Sequence, residues 1–176
     1  MKRLTFASVT LLLSAHLAFG QELPVPSVNP TRDVPGATML PDPEATHTVL
    51  IDIVQGAENI GDVNPLLNAT ARYVNTLAKH GVPAENRQIA VVLHQGSTEI
   101  ILQNEAFRAR NDGHDNPNIE MIRILSEAGV KFHVCGQAVT GREIDPATIL
   151  PEIQLDVWAL TTLIDLQSQG YVLVGG

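Results

Sequence analysis

Thr48-Val49-Leu50-Ile51-Asp52-Ile53-Val54 is an apolar run interrupted by a single carboxylate. A strand with one wet face alternates apolar and polar residues. A run apolar at nearly every position suits a parallel strand covered on both faces. Three more runs have the same character: Gln88 to Leu93, Val130 to Cys135 and Tyr171 to Val174. Between them lie longer segments with helical punctuation. Pro65 to Gly81, Pro117 to Gly129 and Pro151 to Gly170 each place Pro at the first helical position and Gly just past the last, and Asn64 and Asn116 stand where a side-chain oxygen can cap free backbone N–H groups. Thr98 to Arg110 reads as a further helix, or as a short strand through Ile100, Ile101 and Leu102 followed by a turn. Strands alternating with helices make βαβ units, so the expected architecture is α/β, a mostly parallel sheet with helices on both faces.

Upstream of this body the chain has two other regions. Lys2 and Arg3 precede an apolar stretch from Leu4 to Phe19, and Ala18-Phe19-Gly20 supplies the small residues read at a cleavage site. This is the pattern of a secretory signal peptide over residues 1–20, and its apolar core is shorter than the roughly 20 residues needed to cross a bilayer. The expected destination is the periplasm. Residues 21–46 hold six of the eleven prolines and few large apolar side chains, too little to fold alone. They read as an extended arm or linker, lying on the body or on a neighbouring subunit. Residues 47–176 form the domain.

Losing Lys2 and Arg3 leaves 9 basic residues against 19 acidic ones, so the net charge moves from −8 to −10. Such a chain repels nucleic acid and anionic lipid, and neither is an expected partner. The last helical segment is apolar nearly all round, with Ile153, Leu155, Val157, Trp158, Leu160, Leu163, Ile164 and Leu166. A helix of this kind is covered on more than one side, and in a small domain the second cover is another subunit.

The chemistry centres on Cys135, the one cysteine in an exported chain. Unable to close an internal disulfide, it is a buried filler, a link to another chain or a reactive thiol. In a parallel sheet, reactive groups gather where strands end. Cys135 ends its strand before Gly136, so the amides of Gly136, Gln137 and Ala138 are placed to point at its sulfur and favour the thiolate. His133, two residues earlier, projects from the same face. His94, at the end of Gln88 to Leu93, lies on the same rim and is the better candidate to position substrate or share a proton. Asp52 is unusual inside an apolar strand and is expected to take backbone or cap hydrogen bonds. There is no dinucleotide fingerprint, phosphate loop or nucleophile elbow around Ser97, so no cofactor and no metal is expected. Asn68-Ala69-Thr70 matches a glycosylation acceptor but falls inside a helix.

Taken together, His94-Gln95-Gly96, Asn116-Pro117-Asn118, Glu127-Ala128-Gly129-Val130, Val134-Cys135-Gly136-Gln137-Ala138, Ala159-Leu160-Thr161-Thr162-Leu163 and Gln169-Gly170-Tyr171 resemble exported members of the DsrE/DsrF-like (YchN-like) sulfur-relay family. The resemblance implies a three-layer Rossmann-like domain, assembly into trimers or hexamers, and a persulfide carried on the cysteine that Cys135 matches. The function it implies is that of a sulfur carrier or sulfurtransferase, exchanging sulfur with a partner protein or small thiol. Two rivals stand beside it: an oligomer binding a small molecule or soft metal through Cys135, His133 and His94, and a thiol redox sensor.

Overall fold

A computed structural model describes residues 22–174; the expected signal peptide lies outside the described residues. Five parallel strands form one sheet: β1 (His47–Ile53), β2 (Arg87–Leu93), β3 (Lys131–Cys135), β4 (Ile153–Asp156) and β5 (Val172–Val174), in the order β4-β3-β2-β1-β5. The helices are α1 (Pro65–Lys79), α2 (Asn104–Arg110), α3 (Ile119–Glu127), α4 (Gly136–Gly141) and α5 (Ala159–Ser168).

Strand order and handedness fix which helix covers which face. From β1 to β4 the chain steps one way across the sheet, and right-handed crossovers keep their helices on one side. It then reverses to reach β5 beyond β1, which puts α5 on the opposite side. The core divides accordingly. Leu67, Val74 and Leu77 of α1 and Ile122 and Leu125 of α3 pack on Ile51, Ile53, Ile89, Val91, Phe132 and Val134. The alternate strand residues, Leu50, Ala90, Val92 and Cys135, meet Ala159 and Leu166 of α5. One face therefore has several helices and the other has one.

The capping expected at Asn64 is present: its side chain accepts the Leu66 N–H at 2.9 Å. The Asn116 side chain accepts the Asn118 N–H at 3.0 Å one turn before α3 begins. Thr98 to Arg110 is neither a single helix nor a strand. A 3-10 helix over Gln95–Ile101 passes through Leu102, which bridges Ile149, into α2.

The expected helix from Pro151 to Gly170 is a correction. Its first part is β4, an edge strand, and only Ala159–Ser168 is helical. Ile153-Gln154-Leu155-Asp156 alternates with period two, and a free sheet edge beside β3 outweighs the proline-to-glycine punctuation. Residues counted toward an all-apolar helix thus belong partly to a strand, yet Leu160 and Ile164 of α5 and the preceding Val157 and Trp158 remain exposed.

The proline-rich arm lies on its own body. Val25 is fully buried, and Asn75, buried in α1, accepts the Val25 N–H at 2.9 Å and donates to the carbonyls of Val25 and Val28. Further along, the Thr31 N–H bonds Thr76 Oγ1, and Lys79 reaches both the Thr31 carbonyl and Asp33. The salt link to Lys79 holds the Asp33 carboxyl below its ordinary range. Among the described residues no helix is long and apolar enough to cross a membrane.

Candidate functional site

At the carboxyl ends of β2 and β3 a cleft of about 570 Å³ opens between the rim of the sheet and α4. It is lined by His94, Gln95, Cys135, Gln137, Arg142 and Trp158, with Ala138 and Gly141. Two of the expected site residues, His94 and Gln137, thus meet Cys135 there. The fold does this simply: β2 ends at Leu93 opposite Val134, so His94 and Cys135 are each the next residue out on adjacent strands.

His94 is held from several directions. Its Nε2 lies 2.8 Å from Asp52 Oδ1, and its backbone N–H is shared by the Ile53 carbonyl and Ser97 Oγ. Ser97 is fully buried and donates onward to the Ile53 carbonyl, so its role is to lock the rim. Asp52, read from sequence as a taker of backbone or cap hydrogen bonds, is instead the partner of the cleft histidine. An apolar strand tolerates it because the His94 ring supplies the hydrogen bond that burial demands.

The far wall is Arg142, which directly follows α4. Its Nη2 donates to the Gln95 carbonyl at 2.8 Å, and its Nη1 lies 4.0 Å from Glu99. Gln95 and Glu143 both have left-handed backbones, φ 52° and 53°, immediately after His94 and Arg142. For residues with a Cβ this conformation costs about 1–2 kcal/mol each, and such strain gathers where side chains must be aimed. Sequence reasoning missed Arg142 and Trp158: the first reaches the cleft through the β3–β4 connection and the second from the turn between β4 and α5, and the local pattern of neither segment reveals where it ends in space.

Cys135 is 4% exposed. It packs with Leu50, Ala90, Val92, Ala138, Ala159 and Leu166 beneath α5, and touches the cleft from that apolar bed. The amide donors expected from Gly136, Gln137 and Ala138 do not hydrogen-bond its sulfur, although Cys135 is the residue from which α4 springs. Its surroundings are apolar instead: Ala138 of α4 and Ala159 and Leu166 of α5 pack around the cysteine. Gly136 serves packing instead. A Cβ there would lie 2.4 Å from the Asp156 carbonyl oxygen and 3.2 Å from that of Val157, so only glycine lets β4 approach this closely.

His133 shares the face of Cys135, as its spacing requires, but not the cleft. Its Nδ1 lies 2.9 Å from Asp156 Oδ2, and the same carboxylate accepts hydrogen bonds from Thr162 Oγ1 and Gln154 Nε2, each at 2.7 Å. His133 Nε2 is buried without a partner. Among the described residues no group of three or more His, Cys, Asp or Glu side chains is placed to hold a metal ion, which weighs against a soft-metal site built from Cys135, His133 and His94.

The family model for the DsrE/DsrF-like family matches residues 50–174, from the middle of β1 to the end of β5. The chain belongs to the DsrE/DsrF-like family. Membership suggests a sulfur-relay role at the level of the family. Among solved structures, a protein of unknown function from Methanobacterium thermoautotrophicum, MTH1491, is similar in fold. It has 14% sequence identity and a TM-score of 0.52, and the alignment covers 73% of this chain and 97% of that one. The Rossmann-like α/β architecture expected from sequence is therefore the fold of this DsrE/DsrF-like chain. No curated protein sequence matches it.

Proposed function

We propose that the chain is an exported, periplasmic sulfur carrier of the DsrE/DsrF-like family, working as a homo-oligomer through Cys135. The observation that carries this reading is the cleft itself, where the one cysteine of the chain meets a carboxylate-anchored histidine and an arginine at the strand ends. The Cys135 thiolate attacks a sulfane sulfur, the donor's S–S bond breaks with its electron pair on the leaving group, and Cys135 holds the sulfur as a persulfide. An acceptor thiolate on a partner protein or small thiol then takes that sulfur and returns the Cys135 thiolate. Each step is thiolate exchange and needs no cofactor. Exposure of Val157, Trp158, Leu160 and Ile164 supports a subunit contact on the thinly covered face.

Incubated with polysulfide, the protein should gain about one sulfur in mass per chain and release it to dithiothreitol; Cys135→Ser should gain none. A second reading rests on the burial of Cys135, that the thiol is a packing residue and the protein binds a small molecule without turnover. Under that reading Cys135 reacts with iodoacetamide only after denaturation, and the carrier reading is lost.

A further inference from the structure

We infer that the Cys135 cleft recognises anions, and that its sulfur donor is an oxyanion-bearing sulfane of the thiosulfate or thiosulfonate class, gripped by Arg142. The choice of donor rests on the carrier reading above; the anion recognition does not. Its basis is a local inversion of charge. The chain has 19 acidic residues against 11 basic ones, and two other hollows on its surface are each lined by two carboxylates. Asp62 and Glu99 line one, with Arg142 on the wall it shares with the Cys135 cleft, and Asp156 and Asp165 line the other. The lining of the Cys135 cleft contains Arg142 and His94 and no carboxylate.

Arg142 is also placed to do more than close a turn. One N–H holds the Gln95 carbonyl, which pins the guanidinium to the residue beside His94. Glu99 competes for the rest only in part: its carboxylate is shared between Arg110, 3.2 Å from Nε, and Arg142, 4.0 Å from Nη1, so two guanidiniums face one carboxylate. Arg142 lines both the adjoining hollow and the Cys135 cleft, while Glu99 lines only the former. The Arg142 side chain is 38% exposed, leaving planar donors open to two oxygens of a sulfonate or sulfinate group. The chemistry follows from that grip. The Cys135 thiolate attacks the outer sulfur of thiosulfate, the S–S bond breaks, and its electron pair leaves on sulfite. Cys135 keeps the transferred sulfur as a persulfide anion, and no external oxidant or reductant is consumed. Arg142 holds the group whose charge changes as the bond breaks.

Iodoacetate and iodoacetamide test this, because they alkylate the same thiol and differ in charge. The ratio of their rates with the full chain cancels the intrinsic reactivity and accessibility of Cys135, and the same ratio in concentrated urea gives the unhindered reference. The folded protein should favour iodoacetate by about three- to tenfold over that reference at low salt, the size expected of one solvent-exposed cation about 4 Å away at a dielectric close to that of water. The preference should shrink as salt is raised. Arg142→Gln should bring the ratio to the reference, and Arg142→Lys should keep most of it. Thiosulfate should add one sulfur to the wild-type chain and do so more slowly with Arg142→Gln. A folded ratio at or below the unfolded one overturns the anion site whatever the variants do, while leaving the carrier reading intact. If neither reagent alkylates the folded chain, the carrier reading fails and the anionic donor fails with it.

Discussion

Two glycines in one short helix should respond to alanine with opposite signs. Gly136 begins α4 and Gly141 ends it. At Gly136 the new Cβ would sit 2.4 Å from the Asp156 carbonyl oxygen, so that backbone must retreat by roughly 0.8 Å to reach even a tight contact. The obstacle is strand backbone, which cannot swing aside as a flexible side chain would. Overpacking of this kind costs about 1–3 kcal/mol, against a gain of about 0.5–1 kcal/mol for alanine over glycine in a helix. Gly136→Ala should therefore lose about 1–2 kcal/mol. At Gly141 a Cβ meets nothing within 4 Å, so only the gain remains, up to about 1 kcal/mol.

Urea denaturation measures both, with the m-value checking that the unfolding transition is unchanged. For a domain of this size each kcal/mol moves the melting temperature by roughly 2–5 °C. A Gly136→Ala protein as stable as the parent would refute the close approach of β4 to the start of α4. The same retreat would carry Asp156 away from His133 and Thr162, so Gly136→Ala should also increase hydrogen exchange at the start of α5.

Asn75→Ala should cost at least about 2 kcal/mol, since it strips one buried acceptor and two donor contacts from the arm, and limited proteolysis should then cut between residues 22 and 46. Desolvation raises the Tyr73 phenol above its ordinary range, so the folded chain holds that proton more tightly than the unfolded one. Its contribution is complete below the unfolded tyrosine value and is lost as pH rises through the folded one; Tyr73→Phe should flatten the decline in stability above about pH 10. Trp158→Glu, placing a charge on the exposed apolar segment before α5, should yield smaller assemblies in light scattering; a monomeric parent chain would remove the subunit contact altogether.

Much of this fold was legible because its strongest signals are local. The β-branched runs of β1, β2, β3 and β5 sit where the sequence places them, and Asn64-Pro65 announces α1 in both its cap and its first turn. The losses share a cause. β4 is a four-residue edge strand whose exposed Gln154 and Leu155 weaken its pattern, and proline at 151 with glycine at 170 outlines one long helix until the sheet is assembled. The site divides in the same way. Cys135 and His94 were readable because both end strands. Asp52 was visible as an oddity whose partner, 42 residues away, was not. Arg142 carries no local signal, because its meaning comes from a hydrogen bond to Gln95 across two connections.

Why the cleft lies on this rim follows from the reversal in strand order. Right-handed crossovers stack α1 and α3 on one face, and the single step back to β5 leaves α5 alone on the other. One ten-residue helix covers the middle of a five-stranded sheet and leaves its margins. On that thin face the strands can carry Asp52, His133, Cys135 and Asp156, polar or reactive groups that a second helix would have had to bury. Two of the carboxylates take a histidine each, Asp52 with His94 and Asp156 with His133, and Cys135 sits between the pairs on β3. The pairs differ in one respect: His94 lines the open cleft, while His133 is closed beneath Thr162 with its Nε2 unpartnered. Geometry thus leaves His94 as the histidine that a molecule in the cleft can reach, and His133 as the one that ties β4 to α5 through Asp156 and Thr162. Reactivity of Cys135 should depend on the first residue far more than on the second, a contrast that His94→Gln and His133→Gln would expose in the pH profile of alkylation: the former should change its shape, the latter only its stability limit. Equal changes in shape from both would remove the distinction between the two histidines.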